Sequence, residues 1–366
     1  MRALCSSPVV ARLVGARRPA ALVALALGVA AAGCGGPGHA RAPSTTAPAR
    51  PTTSRPLAIR ARLAPWRLPA PLSREVVLPD GQDLVILGGL DRTGSSVSGA
   101  FCLDPADGAI RQVGTLAEPT HDAGGAVLGG VDVVVGGGAA TVYDTVQALR
   151  VPAGSCPAPA SSPRPSVPVS FASGSSPPPG EATATVVGTL PRPRADVSVA
   201  ERAGVAYVVG GYDGQQMDPA VLATSNGRTY RRLSRLPRPV RYGAVAIAGR
   251  WLWVMGGLAG GGATAAIQRV DVRDGSAQVV GRLPAPTSGA TAMVLGGRIV
   301  VLGGLVGGHP SRQMVSVDPG TGRARRVGQL PEPVSNAAGA VVGGRGWLVG
   351  GEGPQSLATV IQVSAG

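Results

Sequence analysis

Residues Leu190–Gly211 read LPRPRADVSVAERAGVAYVVGG, and residues Leu236–Gly257 read LPRPVRYGAVAIAGRWLWVMGG. Both start at a proline-rich corner, pass through two apolar runs split by a small turn, and stop on paired glycines. The corner recurs at Leu68, Leu116 (as LAEP), Leu283 and Leu330. Paired glycines begin at Gly88, Gly136, Gly210, Gly256, Gly303 and Gly350. Each corner leucine stands 20 residues before its glycine pair, and successive corners are 48, 74, 46, 47 and 47 residues apart. A unit repeated at a fixed period is a repeat architecture, in which one copy cannot bury its own apolar faces and stacked copies can.

The unit reads as four short strands. Strand a follows the corner, as in DVSVA. A tight turn leads to strand b, a nearly continuous apolar run (LVIL, AYVV, LWVM, IVVL) suited to a strand covered on both faces. Strand c follows the glycine pair, as in QMVSVDP and AAIQRVDV. A hairpin turn such as DPADG, RDG or DPGTG then leads to strand d. Four strands at this period predict a β-propeller blade, and six copies predict an all-β, six-bladed ring. Glycine tolerates close approach and positive φ at the end of strand b. Proline cannot donate to a ladder, so the corners belong in the crossovers between blades. The C-terminus, SLATVIQVSAG, supplies only a strand c for the sixth blade. The missing strand d matches IRARLAPWRLPAP at Ile59–Pro71, so an N-terminal strand is expected to complete the last blade.

The 74-residue spacing holds about 27 extra residues near 152–181, PAGSCPAPASSPRPSVPVSFASGSSPPPGE. This Pro/Ser-rich stretch falls in a c–d hairpin of the second blade and is expected to be a disordered loop.

Residues 1–33 read as an export signal: Arg17 and Arg18 precede a short apolar stretch ending in small residues. That stretch is too short to span a bilayer comfortably. The ending AAGC (Ala31–Cys34) resembles a bacterial lipoprotein box with Cys34 as the lipid acceptor, although Ala31 stands where leucine is usual. Ordinary cleavage, giving a secreted chain, and an uncleaved anchor are the alternatives. Residues 34–57 hold Pro, Thr, Ser, Ala and Arg with little to bury and are expected to form a flexible stalk. The propeller is then residues 58–366, held on the outer face of the cytoplasmic membrane by a lipid anchor.

The formal charge is +14, and no lysine occurs. Arg2, Arg12, Arg17 and Arg18 leave with the signal, reducing it to +10. The remaining arginines are scattered over turns and linkers, with no interleaved aromatics, so no nucleic-acid groove is expected. Cys102 lies in strand c of the first blade, and Cys156 follows strand c of the second. Export to an oxidising compartment favours a disulfide between them, with two free thiols as the alternative.

The glycine pairs after strands carrying Tyr207, Trp253 and Trp347, together with the LPxP corners, resemble a kelch repeat. The resemblance covers roughly residues 58–366. An arginine often follows the corner in kelch units; only Arg194 does so here, while the other blades carry Leu72, Thr120, Val240, Thr287 and Val334. Kelch propellers are mostly binding platforms, so the resemblance implies a binding module; with the expected export, its partner would be a protein or glycan of the cell envelope, and the chain is expected to be a monomer. A minority are sugar-active enzymes of galactose-oxidase or sialic-acid-mutarotase type, and fold alone does not choose between these roles.

Strand a should line the central channel, so residues five and six places after each corner leucine should ring its mouth. The candidates for ligand binding are Arg74, His121, Asp122, Asp196, Arg241, Tyr242 and Asn336. The b–c loops add Tyr212, Asp213, His309 and Glu352. Two readings stand: a polar ligand pocket, or a solvated mouth whose charges pair with one another. Two His and two Tyr on this face are suitable copper ligands. Yet there is no adjacent Tyr-His pair and no cysteine placed to crosslink either tyrosine. No metal, no cofactor and no catalytic constellation are therefore expected. The glycine runs lack a following helix, which disfavours a phosphate loop.

Overall fold

The computed structural model describes residues 58–152, 154–156, 171 and 181–366. The expected signal segment, Cys34, the expected stalk and most of the insertion lie outside the described residues. The described residues all fall in one compact unit. Within it, six sheets follow one another along the chain, each built on four antiparallel strands, making a six-bladed β-propeller.

Blade 1 comprises Val76–Asp80, Asp83–Leu87, Gly99–Leu103 and Ile110–Thr115, as strands a to d from the inside outward. Blade 2 is Gly124–Leu128, Val131–Val135, Thr145–Leu149 and Thr185–Thr189. Blade 3 is Ser198–Arg202, Val205–Val209, Ala220–Thr224 and Arg231–Arg235. Blade 4 is Ala244–Ala248, Trp251–Met255, Ala266–Asp271 and Ala277–Arg282. Blade 5 is Thr291–Leu295, Arg298–Leu302, His309–Val317 and Ala324–Val334. Blade 6 takes Ala338–Val342, Arg345–Val349 and Thr359–Ala365 from the C-terminus and Ile59–Arg67 from the N-terminus.

That last pairing closes the ring. It runs antiparallel from Ile59 opposite Ala365 to Arg67 opposite Thr359. Arg62 Nε donates to Gln362 Oε1 at 2.7 Å, and Trp66 stacks on Trp347 with ring centroids 6.3 Å apart. The expected N-terminal closing strand is thus present.

The period of two along each strand sends alternate side chains to the two neighbouring blades. In blade 1, Leu84 and Ile86 pack towards blade 6, while Val85 and Leu87 pack towards blade 2. The result among the described residues is six apolar clusters, one at each interface between blades. All six corner leucines are buried in these interfaces.

The glycine pairs have one specific job. The N–H of the second glycine donates to the backbone carbonyl four residues after the next blade's corner leucine. Gly89 donates to Thr120, Gly137 to Arg194, Gly211 to Val240, Gly257 to Thr287, Gly304 to Val334 and Gly351 to Leu72, at 2.8–3.2 Å. The first glycine must let that same carbonyl in. A Cβ on any of Gly88, Gly136, Gly210, Gly256, Gly303 or Gly350 would lie well inside 3.0 Å of it. All twelve glycines also have positive φ.

The insertion of blade 2 reaches back onto blade 1. Cys156 is disulfide-bonded to Cys102, with Cα atoms 5.2 Å apart. Phe171 is buried and meets Phe101 edge-on, centroids 4.7 Å apart. Ala182–Thr183 then adds a short parallel strand to the outer edge of blade 1. These three contacts tie down points within the segment; its remaining residues lie outside the described set.

The glycine geometry makes a matched test. Gly249 has positive φ but open space where a Cβ would stand, whereas Gly256 faces the Thr287 carbonyl. Gly249→Ala should cost about 1–2 kcal/mol, the conformational penalty alone. Gly256→Ala should cost at least about 2 kcal/mol more, because it adds a backbone clash and a lost hydrogen bond. Urea denaturation of the two variants checks this, and equal losses would mean that the close approach is not what the first glycine provides.

Candidate functional site

The chain enters each strand a through one left-handed residue, six places after the corner leucine. These are Arg74, Asp122, Asp196, Tyr242, Gly289 and Asn336, with φ between 50° and 61°. Only one of the six is glycine. For the others this conformation costs about 1–2 kcal/mol each, least for Asn and Asp. The conformation turns each N–H and carbonyl along the ring. Arg74 N–H donates to Asn336, Asp122 to Arg74, Tyr242 to Asp196, Gly289 to Tyr242 and Asn336 to Gly289, at 2.8–3.1 Å. Five of the six possible links are made; none joins Asp196 to Asp122, where two carboxylates are neighbours.

The side chains of this backbone ring line a cavity of about 110 Å³ at the channel mouth. Beneath it, between the six strands a, lies a channel of about 200 Å³. Residues seven places after the corner leucine line both: Glu75, Ala123, Val197, Gly243, Ala290 and Ala337.

Arg74 is the centre of the polar network. Its Nη1 donates to Asp122 Oδ2 and to Tyr242 Oη, each at 3.0 Å, and its Nε to Glu352 Oε1 at 2.6 Å. Tyr242 Oη donates to Asp122 Oδ2 at 3.0 Å, and Asn336 Nδ2 to Glu352 Oε2 at 2.8 Å. A second pair, Arg241 to Asp196 at 2.9 Å, sits alongside, with the Arg241 guanidinium 4.7 Å from the centroid of the Tyr212 ring. These are charge-assisted bonds that fix side-chain orientation.

Burial pulls Arg74 towards the neutral form, but its hydrogen bond to Glu352 and the charge of Asp122 outweigh that and hold it firmly protonated. Burial raises Asp122 above the usual carboxylate range against the pull of Arg74, and the Asp196 charge adds to the rise. Burial likewise raises the Tyr242 phenol. Burial and the nearby Arg74 charge lower His121, favouring its neutral form.

The structure sorts the expected residues. Arg74, Asp122, Asp196, Tyr242 and Asn336 converge on the cavity. Residues five places after the corner do not line it. They make bridges to the b–c loop of their own blade, as Arg241 does with Leu258 and His121 with Gly138. Arg241 joins the site through Asp196, and His121 flanks it, with Nδ1 2.9 Å from Ser96 Oγ and Nε2 3.7 Å from Asp122. Tyr212 acts as a platform under Arg241. Asp213 instead caps its own loop, accepting from the N–H groups of Gln215 and Gln216, which lower its pKa. His309 is exposed on a hairpin tip of blade 5, opposite Val306. Blades 2 and 5 lie across the ring, so the two histidines are not brought together. Among the described residues, only Asp83, Cys102 and Cys156 place three His, Cys, Asp or Glu ligand atoms within 4.8 Å of one another, and both cysteines are in the disulfide. Arg194, the lone arginine after a corner, is buried in blade 3. It pairs with Asp218 at 2.8 Å and donates to the carbonyls of Gly210 and Ala220.

Sequence reasoning missed Glu75. Its Oε1 accepts from the Ala338 N–H at 3.3 Å, and its Oε2 is buried without a partner. Burial pushes its pKa up to about 8. The available signal was that it alone is charged among the six residues seven places after the corners.

No protein-family profile matches the chain. No curated protein matches it. The solved structure of YjhT superposes with a TM-score of 0.65 at 14% sequence identity, covering 82% of this chain and 99% of that one. The likeness is one of fold.

Glu75, Asp122 and Asp132 all carry raised pKa values, the last pushed to about 7 by burial and the Asp80 charge. The folded chain therefore holds protons that the unfolded chain releases near an ordinary carboxyl pKa of about 4. The stability linked to these protons is fully present below that value and is lost as pH rises through the folded values. The thermal midpoint should fall between about pH 5 and about pH 8, and Glu75→Gln and Asp132→Asn should each flatten the fall. A fall unchanged in both variants would show that these groups do not titrate as described.

Proposed function

We propose that the chain is an exported, lipid-anchored, kelch-type propeller that binds a glycan of the cell envelope at its channel mouth. The observation that carries this is the ring of left-handed residues: it aims a guanidinium, two carboxylates, a phenol and an amide into one open cavity. A few polar groups held at fixed angles suit a ligand rich in hydroxyls. Protein partners usually anchor through buried aromatic or aliphatic hot spots. Among the described residues the large exposed apolar side chains are Leu63, Val186 and Val279. Each lies on the outermost strand of a different blade, away from the mouth. That favours a glycan over a protein. The export signal and Cys34 supply the envelope location and the membrane anchor.

A sugar-active enzyme is the second reading, favoured by one observation: Glu75 and Asp122, both held towards the protonated form, lie at the same mouth. Carboxyl groups tuned this way are suited to donate protons near neutrality. Time-resolved NMR of any bound sugar separates the two, since the enzyme reading requires the sugar to change.

The full chain on a glycan array should retain at least one glycan class. Asp122→Asn and Asp196→Asn each keep a residue that tolerates positive φ, so folding should survive. Each should weaken retention by about tenfold or more, as expected for one charge-assisted bond. Retention unchanged in both variants would remove the mouth as the site. No glycan retained, with a protein recovered by pull-down, would overturn the glycan reading.

A further inference from the structure

We propose that the mouth selects a glycan carrying a free, protonated amine, and that Glu75 supplies the counter-charge; this rests on the glycan reading above. The chain as a whole is strongly basic, at +14. Its mouth is not. Glu75, Asp122, Asp196 and Glu352 gather there against two guanidiniums, Arg74 and Arg241. Both guanidiniums are already engaged, Arg74 by Asp122 and Glu352, and Arg241 by Asp196. Glu75 is the carboxyl left over.

Three features set Glu75 apart from an ordinary structural residue. It is 4% exposed, yet it lines both the mouth cavity and the channel beneath. One of its oxygens, Oε1, accepts from the Ala338 N–H at 3.3 Å, and the other, Oε2, is buried without a partner. A buried carboxyl with unused acceptors is unfavourable. And the fold does not need it: the same position holds Ala123, Val197, Gly243, Ala290 and Ala337 in the other five blades. Five small apolar residues show what the architecture alone requires, so the sixth answers to something else.

An ammonium group fits such a carboxyl: burial holds Glu75 towards its protonated form in the free protein, and a bound cation would draw it into the ionised form while filling its unused acceptors. The ammonium carries three N–H donors and a compact positive charge. A hydroxyl would satisfy a lone pair but not the charge. An acetylated amine offers one N–H, no charge and added bulk in a cavity of about 110 Å³. A bare metal ion is a poorer match, because among the described residues the mouth brings no three His, Cys, Asp or Glu ligand atoms within 4.8 Å.

The experiment is calorimetric titration of the full chain with a glucosamine tetramer and with the N-acetylglucosamine tetramer. The free-amine tetramer should bind at least about tenfold more tightly, a modest share of what a buried charge pair can contribute. Glu75→Gln should abolish that preference. Glu75→Ala, which installs the residue type of the other blades, should do the same with a thermal midpoint at or above the wild type; this separates lost binding from lost folding. Equal affinity for the two tetramers, or a preference that survives in Glu75→Gln, overturns the proposal. If neither tetramer binds but a neutral glycan does on the array, the amine proposal falls and the glycan reading stands. If no glycan of any kind binds, both fall.

Discussion

One hydrogen bond, repeated six times, holds this molecule's architecture together: the second glycine of each pair gives its N–H to a carbonyl of the next blade. Each bond is individually modest, worth about 1 kcal/mol net. Its importance is geometric. It is made between backbones, so it sets the spacing of the blades before any side chain is considered. It also explains why two glycines are needed: one donates, and the other must carry no Cβ where the carbonyl enters. The last of the six, from Gly351 to Leu72, joins the end of the chain to its beginning.

The site inherits this spacing. With the carbonyl four residues after each corner pinned, the residue two places on has little freedom and turns left-handed in every blade. The strain is therefore architectural, distributed over the whole ring, and the mouth uses it. Residues from five blades are delivered to one cavity with their backbones already hydrogen-bonded to each other, so their side chains converge with little flexibility left to lose. Arg74 can then bridge Asp122 of the next blade, Glu352 of the preceding one and Tyr242 across the ring.

Much of this was legible in the chain. The offset of 20 residues between corner and glycine pair announced the blade, and the orphan strand at Ile59–Arg67 announced the closure. Five residues of the ring were identified by counting from the corner leucines. Counting failed at the neighbouring position, because bridge pairing turns Ser73, His121, Ala195, Arg241, Ser288 and Ser335 towards their own b–c loops. His309 does lie in a b–c loop, but at an exposed hairpin tip that is not part of the cavity lining. Glu75 escaped because a single glutamate near the start of a strand looks like any solvated charge; only closure against blade 6 buries it.

The division follows from the range of the forces involved. Repeat period, apolar alternation and glycine placement are local properties, and they determined by themselves that the chain builds six equivalent sheets and which end completes the last. Which charges meet across the axis depends on rotation between blades and on the fit of side chains far apart in the chain, Arg74 and Tyr242 among them. No periodicity encodes that fit. Only the closed ring decided that Arg74 would be satisfied three times over while Glu75, the next residue, would be buried with an acceptor to spare.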